Sequence, residues 1–422
     1  MSVARTRETK RGPAQTRVAR KKPARSRGTP AVLPTPAESA RRYQTVAFVL
    51  QGGGALGAYQ CGVYEAMHRA GIHPGWFAGT SIGAVTAAIL AGNAPERRVE
   101  RLHEFWNTIC EPAGLFNWAS ASALRDALAW LPPNSLLSAW MGALSAFGAL
   151  VQGQRGFFAP RSLAPFAQPP GTPAATSFYD TAPLEATLER LVDFDRINSG
   201  GVRLTIGATN VATGNFRYFD SANERIGPEH VMASGALPPG FPAIVIDGEH
   251  YWDGGIVSNT PLEYVLESDP RRDTLAFQVD LWSARGILPK TLLDVLEREK
   301  DIQYSSRTRM GTDAVAARQR LRNALGMLLD EIPRRYLPAD LVAELKPWLC
   351  DRVFNIIHLI YRSKPYEEQF KDYAFGRLAM REHWKSGFED MSRSLAHREF
   401  FVPPSRETGV VTHDIHRGDD RP

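Results

Sequence analysis

Cysteine is scarce in this chain of 422 residues, which has three: Cys61, Cys110 and Cys350. They are far apart, odd in number and without C-x-x-C spacing, which argues against a disulfide framework or a zinc site. Cys61 shares a helical stretch with Tyr64 and His68 and reads as a small core residue rather than a nucleophile. No uninterrupted apolar run precedes Tyr43, so no secretory leader is expected. The sequence also contains no clean run of the ~20 apolar residues that a membrane-crossing helix needs. The expected location is therefore cytoplasmic, with peripheral membrane association as an option.

Acidic residues are nearly missing from the first 43 positions. That segment holds twelve Lys/Arg against Glu8 and Glu38, while the whole chain carries only +5, so residues 44–422 are mildly acidic. Rich in Pro, Ser and Thr and without an apolar face, residues 1–43 read as a disordered basic tail with some attraction to anionic lipid. No specific nucleic-acid partner is expected, and oligomeric state is not legible. With 43% hydrophobic and 23% charged residues, the remainder is long enough to bury a large core.

From Tyr43 onward the pattern is regular. "TVAFVLQ" is an apolar, β-branched run that ends in glycines, and residues 55–70 follow with helical spacing. The unit repeats as "HPGWFA", "GTSIG" and "IGAVTAAILAG", and two tandem strand-turn-helix units favour a parallel sheet with helices on its faces. Residues 93–110 read as an amphipathic helix with Val99, Leu102, Phe105, Trp106 and Ile109 on one side. Charge then vanishes between Ala127 and Gln154, a stretch that reads as an apolar, lid-like insertion. Further on, "VRLTIGATNV" and "GNFRYFD" form a predicted hairpin, "DTLAFQVDLW" and "VFNIIHLIYR" are buried strands, and residues 283–345 and 365–398 are mostly helical. The expected organisation is a domain over 44–282, a mostly helical extension over 283–400 and a loose tail over 401–422.

Gly52, Gly54 and Gly57 satisfy G-x-G-x-x-G between a strand and a helix, a dinucleotide fingerprint. That fingerprint also wants an acidic residue about 20 positions on. The corresponding stretch, "GIHPGWFAG", has none, and a serine turn follows instead. "GTSIG", Gly79 to Gly83, matches G-x-S-x-G, with Ser81 on a sharp turn between strand and helix. Its plainer reading is a helix N-cap. A Ser-His-Asp triad lacks its histidine: His358 lies in a strand pattern, and His383 and His397 in helical ones. The better base is Asp253, which in "YWDGGIVSN" ends an apolar strand and opens a Gly-Gly turn, where desolvation would raise its proton affinity.

"GGGALG", "GTSIG" and "DGG" in this order, together with "ASGALPPGFPAIVIDGEHYWDGGIVSNTPL", resemble the patatin-like phospholipases, and the resemblance covers residues 44 to about 282. It implies an α/β fold, a three-layer α/β/α sandwich with a mainly parallel central sheet, and serine acyl hydrolysis with a Ser-Asp dyad and no metal or organic cofactor. Carried onto this chain, it makes Ser81 the nucleophile, Asp253 the base and the N–H groups of Gly52, Gly53 and Gly54 the oxyanion hole. Gly57, Gly79, Gly83, Gly254 and Gly255 are the supporting motif glycines. One departure stands out: many relatives have Arg or Lys where this chain has Leu56. An apolar residue there removes that charge from the loop and keeps the backbone donors.

The expected function is a lipid acyl hydrolase, of phospholipase A or lysophospholipase type, acting on a lipid or acyl-ester substrate. The alternative is a catalytically weak lipid-binding or recruitment protein on the same fold.

Overall fold

The computed structural model describes residues 33–110, 152–362, 371–373 and 375–415, with the side chains of residues 293, 306–312 and 334 left out. The basic tail up to residue 32, most of the apolar insertion at 127–154 and the final residues from 416 lie outside the described residues. The described residues from Pro34 onward cluster as one compact unit.

Among the described residues, a nine-stranded sheet organises this unit. Its strands are β1 (Thr45–Leu50), β2 (Trp76–Thr80), β5 (Arg203–Asn210), β6 (Phe216–Asp220), β7 (Ile244–Ile246), β8 (Glu249–Asp253), β9 (Thr274–Asp280), β10 (Phe354–Ile360) and β11 (Val410–His413), while β3 (Ala159–Pro160) and β4 (Tyr179–Asp180) pair separately. The order is β11-β10-β9-β1-β2-β5-β8-β7, with β6 also on β5. Neighbours from β11 through β5 are parallel, and β6, β7 and β8 run antiparallel to their partners.

Alternation along the strands explains the layers. Phe48 and Leu50 of β1 face one apolar cluster, whereas Ala47 and Val49 face another; Phe277 and Ala276 divide the same way on β9. A strand apolar on both sides must be covered on both, as parallel sheets are. The larger cluster takes in α2 (Ala58–Arg69), α3 (Ile82–Ala91) and α4 (Arg98–Ile109), which follow α1 (Pro36–Ala40) in the chain. On α4, Leu102, Phe105, Trp106 and Ile109 are buried, as their spacing predicts. Next come α5 (Ala182–Leu191), α6 (Phe194–Asn198) and α7 (Pro228–Ser234), and the second face receives Leu262, Val265 and Leu266 of α8 (Leu262–Glu267). Among the described residues, no helix is long and apolar enough to cross a membrane.

The C-terminal region adds α9 (Leu292–Glu331), α10 (Ala339–Leu345) and α11 (Arg377–Ala396), and it also extends the sheet. β10 pairs with β9 over seven residues, so the sheet continues across the boundary predicted near residue 282. Val410–His413 falls within the stretch expected to be a loose tail, yet it pairs in parallel with Phe354–Ile357. Its short Val-Val-Thr run gave too little periodicity to stand out without that partner. α11 lies along α2, where Tyr59 donates to Asp390 at 2.7 Å.

Candidate active site

Three strands meet at one point. β6 occupies one edge of β5 over Thr205–Thr209, so β2 and β8 must share the other edge, since a strand has two. β2 ends there with Thr80 opposite Gly207, and β8 ends from the other direction with Asp253 opposite Ala208. The residue after Thr80 is Ser81. Consecutive positions on β5 thus bring together two side chains far apart in the chain, and Ser81 Oγ donates to Asp253 Oδ2 at 2.7 Å.

Ser81 has φ 57° and ψ −127°, a region that non-glycine residues rarely enter. Its surroundings hold it there: its N–H donates to Ser234 Oγ at 2.9 Å, and Ser234 in turn donates to the Gly207 carbonyl at 2.7 Å. The N-cap reading is not what the geometry gives. Ser81 stands at the N-cap of α3 but makes no side-chain capping bond, its hydroxyl pointing to Asp253 instead. Gly79 and Gly83 supply the room for this turn: a β-carbon on the first would lie 2.2 Å from the Gly83 carbonyl oxygen, and on the second 2.4 Å from that of Leu50.

Asp253 is 3% exposed. Its second oxygen, Oδ1, accepts the Gly255 N–H at 2.7 Å, and its own N–H donates to the Ala236 carbonyl at 3.0 Å. Burial pushes its pKa up to about 6, against the smaller downward pull of the bonds from Ser81 and Gly255. Such a carboxylate is a stronger base than an exposed one and is still mostly ionised at neutral pH. Gly254 lies tight against β5, where a β-carbon would come 2.4 Å from the Gly207 carbonyl oxygen.

The glycine turn lies across from this pair. Gly52 is so near that an added β-carbon would sit 2.8 Å from Ser81 Cβ. Its peptide groups are engaged: Gly52 N–H donates to Asn259 Oδ1 at 3.1 Å, and the Gly52 carbonyl accepts from Asn259 Nδ2 at 3.1 Å and Trp282 Nε1 at 2.8 Å. Of the three glycines expected to donate to an oxyanion, Gly52 thus has its N–H directed at the Asn259 side chain. Gly54 has φ +55°, and Ala55 N–H beyond it donates to the Asp372 carbonyl at 2.8 Å. Gly57 touches the Ile82 side chain behind Ser81.

Leu56, the departure noted in the sequence, is fully buried within the apolar cluster. Cys61 is also fully buried, accepts from Trp106 Nε1 at 3.1 Å, and burial holds its thiol protonated. Sequence reasoning missed Asn259, Ser234, Trp282 and Asp372. Asn259 was within reach, because it lies six residues past Asp253 in the same short segment and a buried amide can serve both backbone groups of one glycine. Ser234 lies at the start of the quoted "ASGALPPGF" stretch, whereas Trp282 and Asp372 had no local signal.

A family model described as patatin-like phospholipase matches residues 48–266, just over half of the chain, and one described as patatin phospholipase matches residues 302–407. Among solved structures, VipD from Legionella pneumophila is similar at 15% identity, with 88% of this chain and 72% of that chain covered and a TM-score of 0.36. No curated protein sequence matches the chain. The first of these models spans both the serine turn and the Asp-Gly-Gly turn, and the chain belongs to the patatin-like phospholipase family, a family of lipid acyl hydrolases.

Proposed function

We propose that this protein hydrolyses carboxylic esters of lipids, of the phospholipase A or lysophospholipase kind, through an acyl-enzyme on Ser81. The observation that carries the reading is the 2.7 Å bond from the Ser81 hydroxyl to a buried Asp253 carboxylate, made from a turn that strains the serine backbone. Asp253 accepts the hydroxyl proton as Ser81 Oγ bonds to the ester carbonyl carbon. Gly53 and Gly54 N–H groups receive the oxyanion, with support from the N-terminus of α3. Collapse of the tetrahedral species breaks the bond to the leaving oxygen, which takes the proton from Asp253. Water then gives a proton to Asp253 and attacks the acyl-enzyme. The fatty acid is released and Ser81 recovers its proton.

A fluorophosphonate probe on folded protein is the direct test. Wild type should be labelled and should hydrolyse short acyl esters and glycerolipids, whereas Ser81→Ala should do neither. Folded wild type that takes no label and hydrolyses no ester of the panel would overturn this reading in favour of a catalytically weak lipid-binding protein.

A further inference from the structure

The C-terminal region reaches the glycine turn at Lys371–Tyr373, a strap across the turn. The Asp372 carbonyl takes the Ala55 N–H at 2.8 Å and presses so close to Gly54 that a β-carbon there would lie 2.2 Å from it. The strap is tied down by charge. Asp372 pairs with Lys300 Nζ at 2.9 Å, and Lys371, 4% exposed, reaches Asp301 at 2.8 Å and Glu297 at 2.9 Å. Glu297, Lys300 and Asp301 stand at i, i+3 and i+4 in the first turns of α9, hence on one helix face. Burial works against the Lys371 charge, but the two acids outweigh it and raise its pKa, so the ammonium persists. Lys371 also lies over the Trp282 ring, 5.4 Å from its centroid, and Trp282 holds the Gly52 carbonyl.

The loop is thus gripped at both ends. Asn259 and Trp282 fix Gly52, Asp372 fixes the peptide between Gly54 and Ala55, and the N–H groups of Gly53 and Gly54 lie between the two grips. We infer that the strap orients the glycine turn for oxyanion binding, with Lys300, Lys371 and Asp372 as positioning residues that never touch substrate. The inference rests on the acyl-hydrolase reading. It gives the C-terminal region a task in the reaction: donors to a developing oxyanion act only when their direction is set in advance. A misplacement of 1 Å can cost on the order of 10²-fold.

The test uses the full chain, a soluble short-chain ester and a phosphonate inactivator. Lys300→Met and Asp372→Asn should each lower kcat and the inactivation rate about 10-fold, a fraction of the loss of a whole donor. KM should stay within about twofold, because the ester's binding contacts are untouched. The swapped pair Lys300→Asp with Asp372→Lys should recover most of the rate that either reversal alone removes. Unchanged kcat in both neutral variants, a rise in kcat, or a failure of the swapped pair to recover would each overturn the strap. Wild type run beside Ser81→Ala keeps the two readings apart: an active wild type that Ser81→Ala silences upholds the hydrolase reading even if the strap fails.

Discussion

On one side of the Ser81 hydroxyl stands Asp253, held by neutral groups and by strands that adjoin one another; on the other side is a glycine turn braced by three separate segments and a set of ion pairs. Asp253 has a hydroxyl and a backbone N–H as partners, and burial raises its pKa. The turn is steadied by an amide, an indole and a strap that carries Lys371 and Asp372 with Lys300, Glu297 and Asp301 beneath. The contrast fits what each side would do in the proposed reaction. A base needs a desolvated carboxylate without a cation beside it, because a cation would lower its proton affinity. Backbone donors carry no net charge and need only direction, so the charges that anchor them can lie one step behind.

Substitutions on either side test that division. Asp253→Asn should have the largest effect, a loss of about 10³-fold or more in kcat/KM for a soluble ester, with the fold retained by circular dichroism. Retention of more than a tenth of the activity would place the base elsewhere. Leu56→Arg should not help the turn: it buries a cation among apolar neighbours and should destabilise the protein by roughly 3–5 kcal/mol in denaturant titration. If the variant were instead stable and faster, the turn would have room for a charge that the buried Leu56 denies.

Asn259→Ala removes both bonds to Gly52 and should lower kcat by about 10- to 100-fold with little change in KM, the signature of a group that orients donors. An effect confined to KM would place Asn259 on the substrate instead.

The smallest effect is that of pH. If Asp253 is the base, as proposed, activity needs it ionised, so kcat/KM should fall about tenfold per unit as pH drops below about 6 and level off above it. Stability runs the other way. Folding raises this carboxyl's proton affinity, so its contribution is fully present below its unfolded pKa of about 3.9 and is lost as pH rises through 6. Asp253→Asn should therefore melt higher than wild type at neutral pH and lose that advantage in acid. A flat activity profile from pH 5 to 8 would count against a buried base.

The two ends of the Ser81–Asp253 hydrogen bond were legible because each carries local marks. Ser81 lies between glycines in a strand-turn-helix pattern, and Asp253 ends a strand at a Gly-Gly turn, and each mark reflects a backbone need that acts within a few residues. The partner of Gly52 carried no such mark, because whether an N–H is engaged depends on a neighbour, and Asn259 lies 207 residues on. The short β11 was missed because a strand of four residues is defined by its partner more than by its own pattern.

Strand alternation, the glycine turns and the residue types at them were written in the order of the amino acids, since periodicity and backbone freedom are local properties. The distance between Ser81 and Asp253 was decided by β5, which seats two strand ends on consecutive residues. The hold on Gly52 and Ala55 was likewise decided by tertiary contact. Hydrogen bonds between distant segments depend on where the sheet and helices place them, and no periodicity records that placement.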